Sequence, residues 1–417
     1  MREAGMSPRF VVAFMALLLS FQPLSTDLYL PSLQLISRSL DLGVVQAQGT
    51  LLGLLLGFAV SQLFWGHHSD RLGRKRVLMA GAAIYAASAL MAALAPTAGV
   101  ILLARVAMGC GLAAMVVCAR ALVRDLFDVQ QGQQAFARAL TGMAVTATLS
   151  GVVGGLLARS VPWRLTLGLL AAIGLFVCVL TWRCFQESHT RPPVAAQTGA
   201  GGWAELRGAW GRILVQREFL LNTGLAAFTY TEAILFIGGS SLVMVGRHGV
   251  AVETFGYFMT GYSSCFLLGT MACRFVLRRA GRQAALGWGA ALSGLGMLGF
   301  AAISVHPAWQ QAHWLVAAQM AYMLGHGFNQ VCSQAGAVAP FPKEAGTAAA
   351  LSGTLMILCC VLLGQLQALA LSRTEAALTV FAALNACVAM SLSLALRCGC
   401  AGVRRPWRCT WRGRPRR

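Results

Sequence analysis

Twelve apolar runs punctuate the chain, at 10–31, 49–65, 77–95, 99–122, 136–158, 165–182, 219–245, 255–276, 284–305, 314–339, 346–371 and 378–396. Each is close to the ~20 residues that carry an α-helix across a hydrocarbon layer of ~30 Å. The stretches between them are mostly short and polar. This pattern predicts an all-α membrane protein with twelve transmembrane helices. Small residues recur at helical spacing in two runs, as Gly53, Gly57, Ser61 and as Ala147, Gly151, Gly155. Such faces let helix backbones approach closely.

Composition narrows the class. Of 417 residues, 57% are hydrophobic and 11% charged, against roughly a quarter charged in a soluble domain. A soluble enzyme, a disordered chain, a collagen and a coiled coil are excluded. The 13 cysteines are scattered over the whole length, which does not fit a small disulfide scaffold. Cys398, Cys400 and Cys409 in the tail lack zinc-ligand spacing, so neither a metal nor a cofactor is expected. No GxxxxGK[ST] loop is present, so ATP is not the expected driver. The run after Arg9 lacks a small-residue cleavage site and reads as a first span, not a signal peptide.

The net charge of +20 would suit a nucleic-acid partner, but its distribution argues for a membrane instead. Counted loop by loop, 27 of the 33 Lys and Arg fall on the side of the N-terminus and five on the other. Positive charge gathers on the cytoplasmic side, so both termini are expected there, facing anionic lipid headgroups.

The longest polar stretch runs from Arg183 to Arg217 and holds Arg191-Pro192-Pro193 and Gly199-Ala200-Gly201-Gly202. It divides the chain into an expected six-helix bundle at 1–185, a linker at 186–217 with an amphipathic helix near 203–213, a second six-helix bundle at 218–397, and an Arg-rich tail at 398–417. The loop after the second run contains Gly66, Asp70, Arg71, Gly73, Arg74, Lys75 and Arg76. The loop after the eighth, Arg278-Arg279-Ala280-Gly281-Arg282, is a weaker echo. Matching loops in two halves are the trace of an internal repeat.

The spacing Gly66-xxx-Asp70-Arg71-x-Gly73-Arg74-Lys75-Arg76 resembles the signature of the major facilitator superfamily, in the loop where that family carries it. Further segments are similar to the bicyclomycin-resistance (Bcr/CflA) type of drug:proton antiporter: Ser25-Thr26-Asp27-Leu28-Tyr29-Leu30-Pro31, Ala119 to Asp125, Pro162-Trp163-Arg164, and Pro340 to Ala348. The resemblance runs from about Phe10 to Leu396. It implies two six-helix bundles, an inner-membrane location and export of drugs in exchange for protons. Two positions depart from the family pattern: Met108 stands where the family has Gln, and Ser150-Gly151 stands where it has Gly or Ala before Pro, although Gly154-Gly155 is kept.

Ionisable residues inside spans are costly and normally face a wet cavity or a partner. Asp27 and Glu232 are therefore candidates for carrying a proton or anchoring a cationic substrate. A helix-terminating Asp27 and a Glu232 that is purely structural are the alternatives. Arg105 keeps its charge permanently, so it needs a partner: Asp27, a wet cavity, or a set of backbone carbonyls. His326 and Gln330 share a polar face of the tenth run with Gln319 and Gln334, and are candidate lining residues. Gly66, Asp70, Arg71, Gly73, Arg74 and Asp125 form a candidate cytoplasmic gate. In it, Arg71 and Arg74 would pair with Asp125, and Asp70 would face the start of the eleventh run near Gly346. The expected partners are a small molecule, protons and the bilayer, with the chain acting as a monomer. Export of a metabolite such as an amino acid, and a non-transporting receptor or assembly subunit of the same fold, are the rival functions.

Overall fold

The computed structural model describes residues 6–127, 129–187, 201–306, 309, 311–341 and 344–399. All regular structure among them is helical: α1 (Pro8–Asp27), a 3-10 turn (Leu30–Ser32), α2 (Leu33–Ser39), α3 (Val44–Leu72), α4 (Arg74–Ala93), α5 (Ala98–Leu126), α6 (Val129–Ser160), α7 (Trp163–Cys184), α8 (Gly201–Leu214), α9 (Arg217–Ser240) continued by a π turn (Ser241–Val245), α10 (Val252–Val305), α11 (Ala312–Val338), α12 (Ala345–Leu371) and α13 (Ala376–Gly399). Ten segments among the described residues are long and apolar enough to cross a membrane. The chain is an all-α, multi-pass membrane protein.

That number differs from the twelve expected runs for two physical reasons. The eighth and ninth runs are joined in α10, whose 54 residues would extend ~80 Å if straight. Only Gly281 leaves helical space, at φ 77°, ψ −178°, a left-handed backbone that glycine adopts without a Cβ penalty. Tyr262 and Phe300, equidistant from Gly281 in sequence, both pack on Phe236, with ring centroids 6.2 and 5.2 Å away. The two arms of α10 therefore run back to back. The tenth run, α11, is diluted by Gln319, His326, Asn329, Gln330 and Gln334 and is absent from the ten.

Helices α1 to α7 pack among themselves, as do α9 to α13. The two groups meet along α6 with α10 and α3 with α12. Small residues make the first seam: a Cβ on Gly155 would come within 3.2 Å of the Cα atoms of Glu253 and Gly256. The Thr260 hydroxyl donates to the Thr148 carbonyl across it at 2.9 Å. On the second seam, Gln48 Nε2 donates to Gln367 Oε1 at 2.8 Å, and a Cβ on Gly364 would meet Leu52 and Leu235. The Ser241 hydroxyl donates to the Leu30 carbonyl at 3.0 Å. These bridges all lie toward the face opposite the chain's two described ends. Toward the terminal face, by contrast, a Cβ on Gly66, Gly346 or Gly353 would meet open space.

Helix α8 lies in the expected linker, of which 188–200 falls outside the described residues. Its Ile213 is buried against Phe219, Ala337 and Ala348, and Arg212 pairs with Glu344 at 2.7 Å. The tail from 400 onward is likewise outside the described residues.

Candidate functional site

Helix α1 ends at Asp27, which leaves its last carbonyls without intrahelical donors. Arg105 of α5 supplies one: its Nη2 donates to the Ser25 carbonyl at 2.9 Å, and its Nε donates to the Thr50 carbonyl at 3.1 Å. The guanidinium lies 4.0 Å from the centroid of the Tyr29 ring, a cation–π contact. Its Nη1 points at the Met108 sulfur, 4.0 Å away, so the residue that departs from the family pattern touches the cation. Two short hydroxyl contacts brace this cluster, Ser25 to Tyr85 and Tyr29 to Thr50, each at 2.6 Å. Arg105 is fully buried. No ion pair joins it to Asp27, so of the partners expected from sequence it takes the backbone carbonyls.

Asp27 itself is half-buried. Thr26 Oγ1 donates to its Oδ1 at 2.8 Å. Across the junction between the two helix groups stands Tyr230 of α9, whose phenol is near Asp27, Gln22 of α1 and Cys360 of α12. Gln22 and Tyr230 are also half-buried. Asp27 is thus a half-buried carboxyl at the meeting of α1 and α9.

Glu232 sits two residues beyond Tyr230, on a different side of α9, and is fully buried. Its surroundings are Gln319 and Tyr322 of α11 and Tyr262 of α10. Neither carboxyl oxygen has a hydrogen-bond partner, nor do the Gln319 amide atoms or the two phenol oxygens. Gln319 is beside the carboxyl but outside hydrogen-bonding geometry. Glu232 faces the interior of its own bundle.

The polar face of α11 grades from buried to exposed. Gln319 and His326 are buried, Gln330 is half-buried and Gln334 is exposed, so the face opens toward the terminal side. His326 stacks on Phe266 at 4.9 Å with its Nδ1 unpartnered. Gln330 Nε2 reaches the Met356 sulfur at 3.8 Å, and its Oε1 is unpartnered.

The signature loop is built around Gly73, at φ 88°, ψ 156°. This glycine ends α3 and caps α4. Arg74 is 1% exposed; its Nε donates to Asp125 Oδ2 at 2.7 Å and its Nη1 to the Ser69 hydroxyl at 2.6 Å. Glu187, just past α7, accepts from the Arg74 and Lys75 backbone N–H groups at 2.8 and 3.2 Å. An anion at a helix N-terminus is favoured by the dipole and the free N–H groups. Gly66 lies in α3, and the side chains of Asp70 and Arg71 lie outside the described residues. The echo within α10 repeats the geometry: Gly281 has positive φ, and Arg282 donates to Asn222 at 2.8 Å and pairs with Glu218 at 3.4 Å.

Several partners escaped the sequence reading. Tyr29 and Tyr85 around Arg105, Tyr322 beside Glu232, and Ser69 at Arg74 carry no local signal, because their distances in sequence say nothing of helix packing. Glu187 could have been found, as an acid directly following a span on the same side as the basic loop.

The described residues contain no group of three or more His, Cys, Asp or Glu able to hold a metal. The Major Facilitator Superfamily model matches residues 15–364. Among curated proteins, the chain is 28% identical to the bicyclomycin resistance protein homolog of Haemophilus influenzae, over 89% of this chain and 91% of that one. It is 24% identical to the multidrug resistance protein MdtL of Shewanella oneidensis, over 84% and 86%. Among solved structures, a bacterial homolog of the human lysosomal transporter Spinster, inward-facing and unoccupied, superposes with a TM-score of 0.74 at 14% identity, covering 94% of this chain and 98% of the other. A D-xylose-proton symporter gives 0.72 at 15%, over 94% and 97%. The chain belongs to the Major Facilitator Superfamily and is a membrane transporter, not an enzyme.

Proposed function

We propose that the protein exports small amphipathic drugs in exchange for protons, with Asp27 as the proton-exchanging acid. The observation that carries this reading is the place of Asp27. Of Asp27 and Glu232 it is the one that stays partly exposed, and it stands where α1 meets Tyr230 of α9. A carboxyl there changes charge at the seam whose opening defines alternating access, so its proton can bias one arrangement over the other. The names of the curated relatives support drugs as cargo.

In this reading the chain crosses the membrane twelve times, in bundles at 1–185 and 218–397 joined by a linker at 186–217. Both termini and the tail at 398–417 are cytoplasmic, in a bacterial-type inner membrane, and the chain works as a monomer. The basic terminal face supports that orientation. The closed seams then lie on the outer side and the parted ends on the cytoplasmic side. His326 and Gln330 line the inward cavity. Arg105 holds the end of α1 so that Asp27 keeps its position. Gly66, Asp70, Arg71, Gly73, Arg74 and Asp125 form the gate that closes the cytoplasmic side in the opposite arrangement. Arg74 and Asp125 keep its N-terminal half assembled while the halves are apart.

The test is drug accumulation in cells stripped of their own exporters. Expression of this chain lowers accumulation of at least one amphipathic drug, and a protonophore abolishes the difference. Unchanged accumulation across a broad panel overturns the drug reading. Lowered accumulation that survives the protonophore overturns the coupling.

A further inference from the structure

A cleft of about 640 Å³ opens at the terminal face between the starts of α1 and α6. Arg9 comes from α1 and Arg138 from α6, with Gln131 and Gln134 beside them and Val12 and Phe127 among the apolar walls. No acidic side chain is among its described lining residues.

Two features mark this cleft. Arg74, Arg159, Arg212, Arg247 and Arg282 each answer a carboxylate, and Arg105 and Arg164 answer backbone carbonyls. Among the described residues Arg9 and Arg138, like Arg38, Arg76 and Arg278, have no such partner, and these two share one cavity. Two like charges around a common space repel each other until an anion enters. Both helices also begin here, and the positive ends of their dipoles favour the same sign of ligand.

We propose that this cleft binds the phosphodiester headgroup of an anionic phospholipid from the adjoining leaflet. The guanidiniums take the phosphate oxygens in charge-assisted hydrogen bonds. Gln131 and Gln134 hold the glycerol or ester oxygens, and Val12 and Phe127 meet the first methylenes of the acyl chains. A free inorganic anion would use the arginines and leave the apolar walls unsatisfied. Basic pockets between helices at a membrane surface suit such headgroups.

Native mass spectrometry of the full-length protein in detergent tests this, with dioleoylphosphatidylglycerol titrated against dioleoylphosphatidylcholine. The intact protein prefers the anionic lipid. Arg9→Gln and Arg138→Gln each weaken that lipid about fivefold and leave the zwitterionic one unchanged. The pair Arg9→Lys with Arg138→Lys keeps most of the preference, which separates lost charge from misfolding. Arg278→Gln, outside the cleft, has no effect. Equal loss in the Arg278 variant would mean a diffuse basic face and overturn the site. Displacement of the lipid by millimolar inorganic phosphate would make it a site for free anions and overturn the lipid. Neither result bears on drug export.

Discussion

Arg105 in the N-terminal half and Glu232 in the C-terminal half are both fully buried charged residues, and the two are opposites in what surrounds them. Arg105 has two carbonyls, an aromatic face and a sulfur. Glu232 has an amide and two phenols nearby and a hydrogen bond to none of them. Both are fully buried, so burial alone does not separate a fixed part from a working one; the inventory of partners does. A guanidinium satisfied by backbone carbonyls of two helices, one of them at the end of α1, is part of the scaffold. A buried carboxyl without donors inside a bundle is costly. Asp27 differs from both, because it is only half-buried and stands beside Tyr230 of the other half.

The contrast can be broken most sharply at Arg105. Arg105→Leu removes two hydrogen bonds from a charged donor, worth roughly 1.5–3 kcal/mol each, and should destabilise by about 3–6 kcal/mol. Thermal unfolding and the yield of folded protein will show it. A variant as stable as the parent would mean that the clamp is not structural. Arg74→Ala is expected to come next, at about 3–5 kcal/mol, because it leaves Asp125, 10% exposed, without its buried partner. Gln367→Ala removes one bond between the halves, ~1 kcal/mol in a membrane interior. It should raise the population of the arrangement open on the opposite face about fivefold, read by spin-label distances across the α3–α12 seam. The smallest effect belongs to Glu232→Gln: the unfolding midpoint should not fall, since no hydrogen bond is lost. A drop comparable to that of Arg105→Leu would make Glu232 a structural partner after all.

The helices and the two-group packing were legible because each depends on local composition: a bilayer-length apolar run, a glycine followed by arginine, a polar interval between halves. The break at Gly73 is in the motif itself, and its counterpart at Gly281 is in the echo. What the sequence could not supply was direction. Tyr230 and Glu232 are two residues apart on one helix, yet one faces the other half and the other faces its own bundle. Which side is which depends on how α9 is rotated against α10, α11 and α1, and no spacing within α9 encodes that. Of the partners the sequence left open for Arg105, the structure shows backbone carbonyls: that of Ser25 near the end of α1 and that of Thr50 within α3. Which carbonyls these are depends on how α1, α3 and α5 pack, which no spacing in the sequence encodes.

The most direct measurement is substrate movement in proteoliposomes under an imposed pH gradient, comparing the parent with Asp27→Asn and Glu232→Gln at matched protein content. Asp27→Asn should abolish gradient-driven accumulation while substrate exchange without a gradient persists, and Glu232→Gln should keep most of the gradient-driven transport. Gradient-driven accumulation that survives Asp27→Asn and vanishes in Glu232→Gln would contradict the assignment and move proton exchange into the interior of the C-terminal bundle.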